Sequence, residues 1–215
     1  PGHADWLMGE DSWLEATALR DLRDPSNPDT VGAGNELPKL YQGTYWYTGF
    51  GDNGGVHYNC GVQNHFFYLL CEGGSGTNDT SAFGYDINGI GVQAGEQIAY
   101  RALSEYCTPE TTYAGIKVAW VSAARDLDPR WVRSTRAAWN AVLGLAPPPP
   151  MAVASPPVLP DGRVGSWYSY LLTAKDGIGP YVWALLPDAP KPDWLELAAD
   201  GTVSGLPPPE AVGTN

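Results

Sequence analysis

Two residues five apart, Asp52 and His57, have the types and spacing for chemistry. They open the stretch Gly51 to Gly74, GDNGGVHYNCGVQNHFFYLLCEGG. A carboxylate within reach of an imidazole fixes its tautomer and raises its pKa, a setting for acid–base or hydrogen-bond-donor work. Each residue also has a plainer reading. A histidine after a glycine turn is most often a loop or capping residue, and Asp-Asn-Gly-Gly alone is an ordinary turn. Arg20, taken alone, is an exposed charge. A zinc site from His57, Cys60 and His65 fits no common structural spacing. His65 is expected on the helix surface or beside Phe66.

The mounting of His57 supports the sharper reading. The polar turn Asp52-Asn53-Gly54-Gly55 runs directly into an apolar helix. There Val62, Phe66, Leu69 and Leu70 fall at i, i+4, i+7 and i+8, one buried stripe of 3.6-residue period. Gly73-Gly74 is a helix stop. The imidazole therefore sits where a tight loop enters a packed helix, which is a rigid support.

Further helices are expected over Gly95–Tyr106, with Ile98, Ala102, Leu103 and Tyr106 on one face, and over Tyr113–Leu127. The second buries Ile116, Ala119, Trp120, Ala123, Ala124 and Leu127, with Thr111 or Thr112 as N-cap. Asp128-Pro129 then caps and starts a third helix, burying Val132, Thr135, Trp139, Val142 and Leu143 and closing at Gly144. Residues 1–50 read as irregular, with a short helix only at Trp13–Leu22, and Gly73–Gly91 reads as a loop. The first part is thus all-α. A proline-rich stretch, 146–160, begins at Pro147-Pro148-Pro149-Pro150 and reads as an extended spacer. Beyond it the period becomes strand-like. Strands are expected over Trp167–Ala174 and Tyr181–Leu186 around a Gly177–Pro180 turn, and a hairpin joins Leu195–Ala198 to Thr202–Gly205.

Composition narrows the function classes. The 215 residues carry a net charge of −12, which disfavours nucleic acid and suits calcium, a cation that takes carboxylate ligands. A 43% hydrophobic share with nine Trp and twelve Tyr is enough for a packed core. No apolar run reaches the length of a membrane span. The opening at Pro1-Gly2 reads as a processed or excised piece. Of three Cys, Cys60 and Cys71 lie about 16 Å apart along one helix, too far to bridge. Either has Cys107 as a possible partner, or at least one is a small buried apolar side chain.

Several segments, in order, resemble the thermolysin-like zinc metalloendopeptidases. Asp52-Asn53-Gly54-Gly55-Val56-His57-Tyr58-Asn59 with Gly61 resembles the family's catalytic-histidine segment. Asp5-Trp6-Leu7-Met8-Gly9-Glu10-Asp11 resembles its DWxxGED calcium loop, and Leu19-Arg20-Asp21-Leu22-Arg23-Asp24-Pro25 its LRSMxDP stretch. Tyr100-Arg101-Ala102-Leu103 with Tyr106 and Thr108-Pro109 resembles its YRALTxYLTP helix end. The likeness covers about Asp5 to Leu145. Residues 161–215 resemble the immunoglobulin-like domains appended to secreted bacterial enzymes, carried by Gly162-Arg163-Val164-Gly165, Leu172-Thr173-Ala174, Gly179-Pro180-Tyr181-Val182-Trp183 and Asp200-Gly201-Thr202-Val203-Ser204-Gly205-Leu206-Pro207.

The resemblance implies an architecture of three parts. An all-α peptidase C-terminal domain spans 1–145, a linker 146–160, and an incomplete immunoglobulin-like β-sandwich 161–215 that lacks at least one strand. It implies that His57 donates a hydrogen bond to the transition-state oxyanion, with Asp52 holding its ring and keeping it protonated. Arg20 would bond a substrate carbonyl, and Leu19 would line an apolar pocket for a large hydrophobic side chain after the scissile bond. Asp5 and Glu10 would be calcium ligands, the other acidic ligands lying upstream of Pro1. Zinc is implied for the parent, but the chain has no HExxH, and His3, His57 and His65 are too scattered to replace it. The piece alone would then be an inactive half of a secreted enzyme, partnered by the N-terminal catalytic half and by peptide substrates. Two departures stand out: Leu7 occupies a position where relatives often have an acid, and Tyr41, Tyr45, Trp46 and Tyr47 make an unusually aromatic loop that either narrows the cleft or widens an extended-substrate surface. The rival readings are a non-catalytic extracellular binding module and a degenerate, inactive relative.

Overall fold

A computed structural model describes residues 5–211 except 13, 79, 81, 82, 177–180, 187 and 188. The described chain divides into two compact units at Pro148/Pro149. In the first, strand β1 (Leu7–Met8) pairs antiparallel with β2 (Arg20–Asp21), and a single turn, α1 (Pro28–Val31), follows. Helix α2 (Asp52–Asn59) meets α3 (Gly61–Glu72) at Cys60. Then come β3 (Gly73–Thr77), β4 (Gly84–Asn88), α4 (Val92–Arg101), a π-helical turn at Ala102–Tyr106, α5 (Tyr113–Leu127) and α6 (Val132–Val142).

The core forms where three apolar stripes meet. Val62, Phe66, Leu69 and Leu70 of α3 are all buried, as the period requires. Phe66 stacks on Trp139 of α6 at 3.9 Å between centroids, and Trp120 of α5 meets the Phe66 ring edge-on at 4.8 Å. Three aromatic rings from three helices thus interlock at one point, and all three are buried. The ends of these helices are chemically marked. The Thr112 hydroxyl accepts from the Gly115 N–H, and the Asp128 carboxylate accepts from the Arg130 N–H with Pro129 in the first turn. Gly73 closes α3 in a left-handed conformation, φ 79°.

Several expectations need correction. Gly73–Gly91 is not a loop: β3 and β4 form an antiparallel hairpin, so the unit is helical with small sheets and not all-α. Gly73, Gly74 and Gly76 hide this pairing from a hydrophobic-pattern reading, because glycine adds no side chain to the pattern while its main chain still pairs. No helix forms at the described positions of 13–22, where Arg20–Asp21 is extended instead; Trp13 lies outside the described residues. Leu103 is 62% exposed, and Tyr106 and Leu127 also reach solvent. At the first two the π-turn is the cause, since one extra residue per turn rotates the following side chains off the buried face. The Tyr106 hydroxyl instead donates to Asp126 of α5 at 2.5 Å. All three cysteines are free thiols, and Cys71 is buried.

In the second unit β5 (Ala152–Val153) pairs with β7 (Ala174–Lys175), and β6 (Tyr168–Leu171), β9 (Thr202–Gly205) and β8 (Leu195–Leu197) form a three-stranded antiparallel sheet in that order. The β8–β9 hairpin forms around Asp200-Gly201. The described residues of 181–186 form no strand, and the expected turn at 177–180 lies outside the described residues. β5 lies within the proline-rich stretch, so part of that stretch is paired.

His65 is buried, not on the helix surface: its Nδ1 lies 3.0 Å from the Arg23 carbonyl, and burial pushes its pKa down to about 4 from 6.5. The unfolded chain therefore takes up a proton first as pH falls below 6.5, and stability should drop between pH 6.5 and 4, by up to about 3 kcal/mol at 1.4 kcal/mol per unit. Urea unfolding across that range checks this, with His65→Gln expected to flatten the slope. A slope unchanged in that variant would refute it.

Candidate active site

The first four residues of α2 are an unusual piece of backbone, outside the right-handed helical region. Asp52, Asn53, Gly54 and Gly55 all have positive φ, at 52°, 49°, 84° and 85°. Left-handed conformation disfavours residues with a Cβ, least of all Asp and Asn, and glycine accepts it freely. The run therefore needs this residue order. It is closed by the Gly51 carbonyl, which accepts from the N–H groups of Gly54 and Gly55 at 3.0 and 3.1 Å.

The left-handed run curls Asp52 back over the rest of α2. Its Oδ2 accepts the backbone N–H of His57 at 2.8 Å, and its Oδ1 stands 2.5 Å from the ring Nδ1. An ionised carboxylate only accepts, so Nδ1 carries the hydrogen and Nε2 is the ring atom left to face outward. The His57 side chain is 77% exposed, whereas that of Asp52 is 21% exposed. Hydrogen bonds from the His57 ring and N–H hold the Asp52 pKa below its ordinary 3.8.

Arg20 enters from β2, whose partner β1 fixes it through the Met8–Arg20 pairing. Its Nη1 donates to the Leu19 carbonyl at 2.8 Å and its Nη2 to the His57 carbonyl at 3.1 Å. The Cys60 thiol donates to that same carbonyl at 3.1 Å. Leu19, Arg20 and His57 open onto a cavity of about 350 Å³. Leu19, Val31 and Leu37 make its apolar wall, and Arg20, Asn35, Asp52, His57 and Tyr58 its remaining lining. The structure thus brings Leu19, Arg20, Asp52 and His57 around one hollow, across 37 residues of sequence between Arg20 and His57. A slightly larger hollow, about 410 Å³, is lined by Arg23, Lys39, His65 and Tyr85, among others. Its histidine is buried and stays uncharged down to about pH 4, so the exposed, carboxylate-held His57 marks the better candidate for chemistry.

Asp5 and Glu10 are exposed and do not line this cavity; Asp5 accepts from the Leu7 N–H at 3.1 Å. Among the described residues no three His, Cys, Asp or Glu side chains gather as a metal site would need. Val31 and Leu37 line the cavity and carry no motif of their own. Of the aromatic loop, Tyr41 and Trp46 pack against Tyr113 at 5.0 and 5.8 Å, Tyr47 stacks on Tyr58 at 5.0 Å, and Tyr45 is exposed.

Residues 2–143 match the family described as thermolysin metallopeptidase, alpha-helical domain. The chain belongs to that family. Over 144 residues it is 39% identical to bacillolysin of Brevibacillus brevis, covering 64% of this chain and 24% of that protein. It is 38% identical over 141 residues to thermolysin of Alicyclobacillus acidocaldarius subsp. acidocaldarius, with the same coverage. Neutral protease B of Bacillus subtilis (strain 168) is 42% identical over 126 residues, 57% of this chain and 21% of its own. The chain thus spans about a quarter of the length of the curated relatives it matches.

The Asp52 clamp is directly measurable. In a carboxyl-carbon NMR titration, Asp52 should titrate below 3.8, and His57→Ala should move its midpoint up toward that value. An Asp52 midpoint at 3.8 in the unmutated protein would contradict the clamp.

Proposed function

We propose that this chain is the helical C-terminal part of a secreted, thermolysin-like zinc metalloendopeptidase and supplies one side of its substrate cleft. The observation carrying this reading is the Asp52–His57 pair standing beside Arg20 over an apolar hollow walled by Leu19. Peptide hydrolysis concentrates negative charge on the scissile carbonyl oxygen. A donor already aimed at that place strengthens as the charge grows, and so favours the transition state over the bound substrate. His57 has the means: Nδ1 is engaged by Asp52 and the ring reaches solvent, so in its protonated form the ring presents Nε2–H as the donor. Arg20 has its guanidinium at the rim, where its remaining N–H groups suit a substrate backbone carbonyl. The hollow of about 350 Å³ suits one large apolar side chain on the leaving side of the bond.

On this reading the contribution of this chain is binding and charge stabilisation, and because its sequence carries no HExxH the piece by itself would not hydrolyse peptides. Zinc would be held by an N-terminal half of the same parent protein. Asp5 and Glu10 would give oxygen donors to a calcium site completed by other residues. The immunoglobulin-like reading of residues 161–215 belongs to the same proposal and is supported by the antiparallel strands β6, β9 and β8.

In the full-length protein, His57→Ala should lower kcat by about 10²–10³, the usual cost of losing one such donor, with bound zinc per protein unchanged. Unchanged turnover would remove the assigned role. For the calcium reading, Asp5→Asn combined with Glu10→Gln should weaken calcium binding in titration calorimetry. Equal affinity in the two proteins would discard it.

A further inference from the structure

One buried polar side chain next to the site has no part in the chemistry above. Asn59, at the C-terminal end of α2, is only 7% exposed. Its amide faces the backbone of Tyr47: Oδ1 accepts the Tyr47 N–H at 2.9 Å, and Nδ2 donates to the Tyr47 carbonyl at 3.1 Å. Nδ2 also lies 3.4 Å from the carbonyl of Gly54, inside the left-handed run. Only one orientation of the amide satisfies donor and acceptor together. A residue twelve positions away thus pairs with both backbone groups of Tyr47, as a neighbouring strand would. The Asn59 carbonyl is held in turn by the Tyr113 hydroxyl at 2.7 Å, a phenol whose pKa burial pushes up.

Pinning Tyr47 has a consequence for Asp52. The chain from 47 to 55 wraps around the Tyr47 ring so closely that a Cβ on Gly49, Gly51 or Gly55 would come within 2.4, 2.9 or 2.5 Å of that side chain. Tyr58, the neighbour of His57, stacks on the same ring at 5.0 Å and 13°. The ring is therefore the form around which the left-handed run is shaped. Two of the residues in that run, Asp52 and Asn53, carry a Cβ, and such a conformation persists only where its surroundings hold it.

We infer that Asn59 is a positioning residue for the Asp52–His57 pair. By tying Tyr47 and Gly54 to the helix that carries His57, it sets where the Asp52 carboxylate stands against the ring and hence where Nε2 points. Catalytic geometry tolerates only about 0.5 Å of error, so slack in this tie reaches the reaction without any contact to substrate. The inference rests on the peptidase reading of His57.

The test uses the full-length protein, a peptide substrate, and kcat expressed per bound zinc so that only folded enzyme is counted. Asn59→Asp keeps the shape, but a carboxylate cannot donate to the carbonyls of Tyr47 and Gly54. Asn59→Ala removes the tie outright. Each should lower kcat about tenfold or more with KM within about twofold, and each should have no further effect in a His57→Ala background, where there is no ring to aim. A loss of the same factor in both backgrounds would mean a purely structural role and would overturn the inference, as would unchanged kcat. Tyr47→Leu gives a second route if the Asn59 variants do not fold: the backbone pairing remains, the ring is lost, and kcat should fall only when His57 is present. Equal kcat in Tyr47→Leu and the unmutated protein would also overturn it. Full turnover in His57→Ala would instead refute the peptidase reading itself, which keeps the two failures distinct.

Discussion

One carboxylate bonded twice to one histidine is the constraint on which the candidate site depends. Asp52 takes both the backbone N–H and the ring Nδ1 of His57, so it fixes the position of the residue and the rotation of its ring together. Either bond alone would leave a degree of freedom. The double contact needs a chain that reverses sharply within five residues, which a right-handed helix start cannot provide. Four consecutive left-handed residues provide it, and their conformational cost is kept small by the Asp-Asn-Gly-Gly order.

That local solution is stable because it is built against a core. α3, which follows directly, anchors through Val62, Phe66 and Leu70, and Phe66 meets Trp120 and Trp139 from two other helices. The helix carrying His57 is thus continuous with a buried stripe at one end and bound by Asn59 and Tyr47 to the preceding loop at the other. Arg20 completes the frame from a separate direction, since its strand is held by β1 and its guanidinium reaches the His57 carbonyl. On the proposed reading a histidine held in place would serve charge stabilisation, because a donor that must reorganise as charge develops loses much of its effect.

Legibility in the sequence varied with the range of the interaction involved. The α3 stripe, an N-cap at Thr111 or Thr112, the Asp128 cap and the Asp200-Gly201 hairpin were readable, since each depends on residues within one or two turns of one another. The β3–β4 hairpin was not, because Gly73, Gly74 and Gly76 leave no side-chain pattern for a strand. Leu103 and Tyr106 were placed on the buried face by a period of 3.6, and a π-turn broke that period. His65 read as a surface or flanking residue, yet the Arg23 carbonyl gives its ring a partner inside, so burial costs less than the polar side chain suggests.

Order and spacing of motifs alone determined the family, and the pairing of Asp52 with His57 followed from five residues of chain, because a carboxylate and a ring so close in sequence meet with little entropic cost. The tertiary fold decided what surrounds that pair. Leu37 and Val31 as the cavity wall, the Arg20 contact across 37 residues, and the Asn59–Tyr47 tie all arise from segments brought together by helix packing and strand pairing. Nothing in the local composition of those segments encodes the meeting, since the energy that enforces it comes from apolar surface buried elsewhere in the unit.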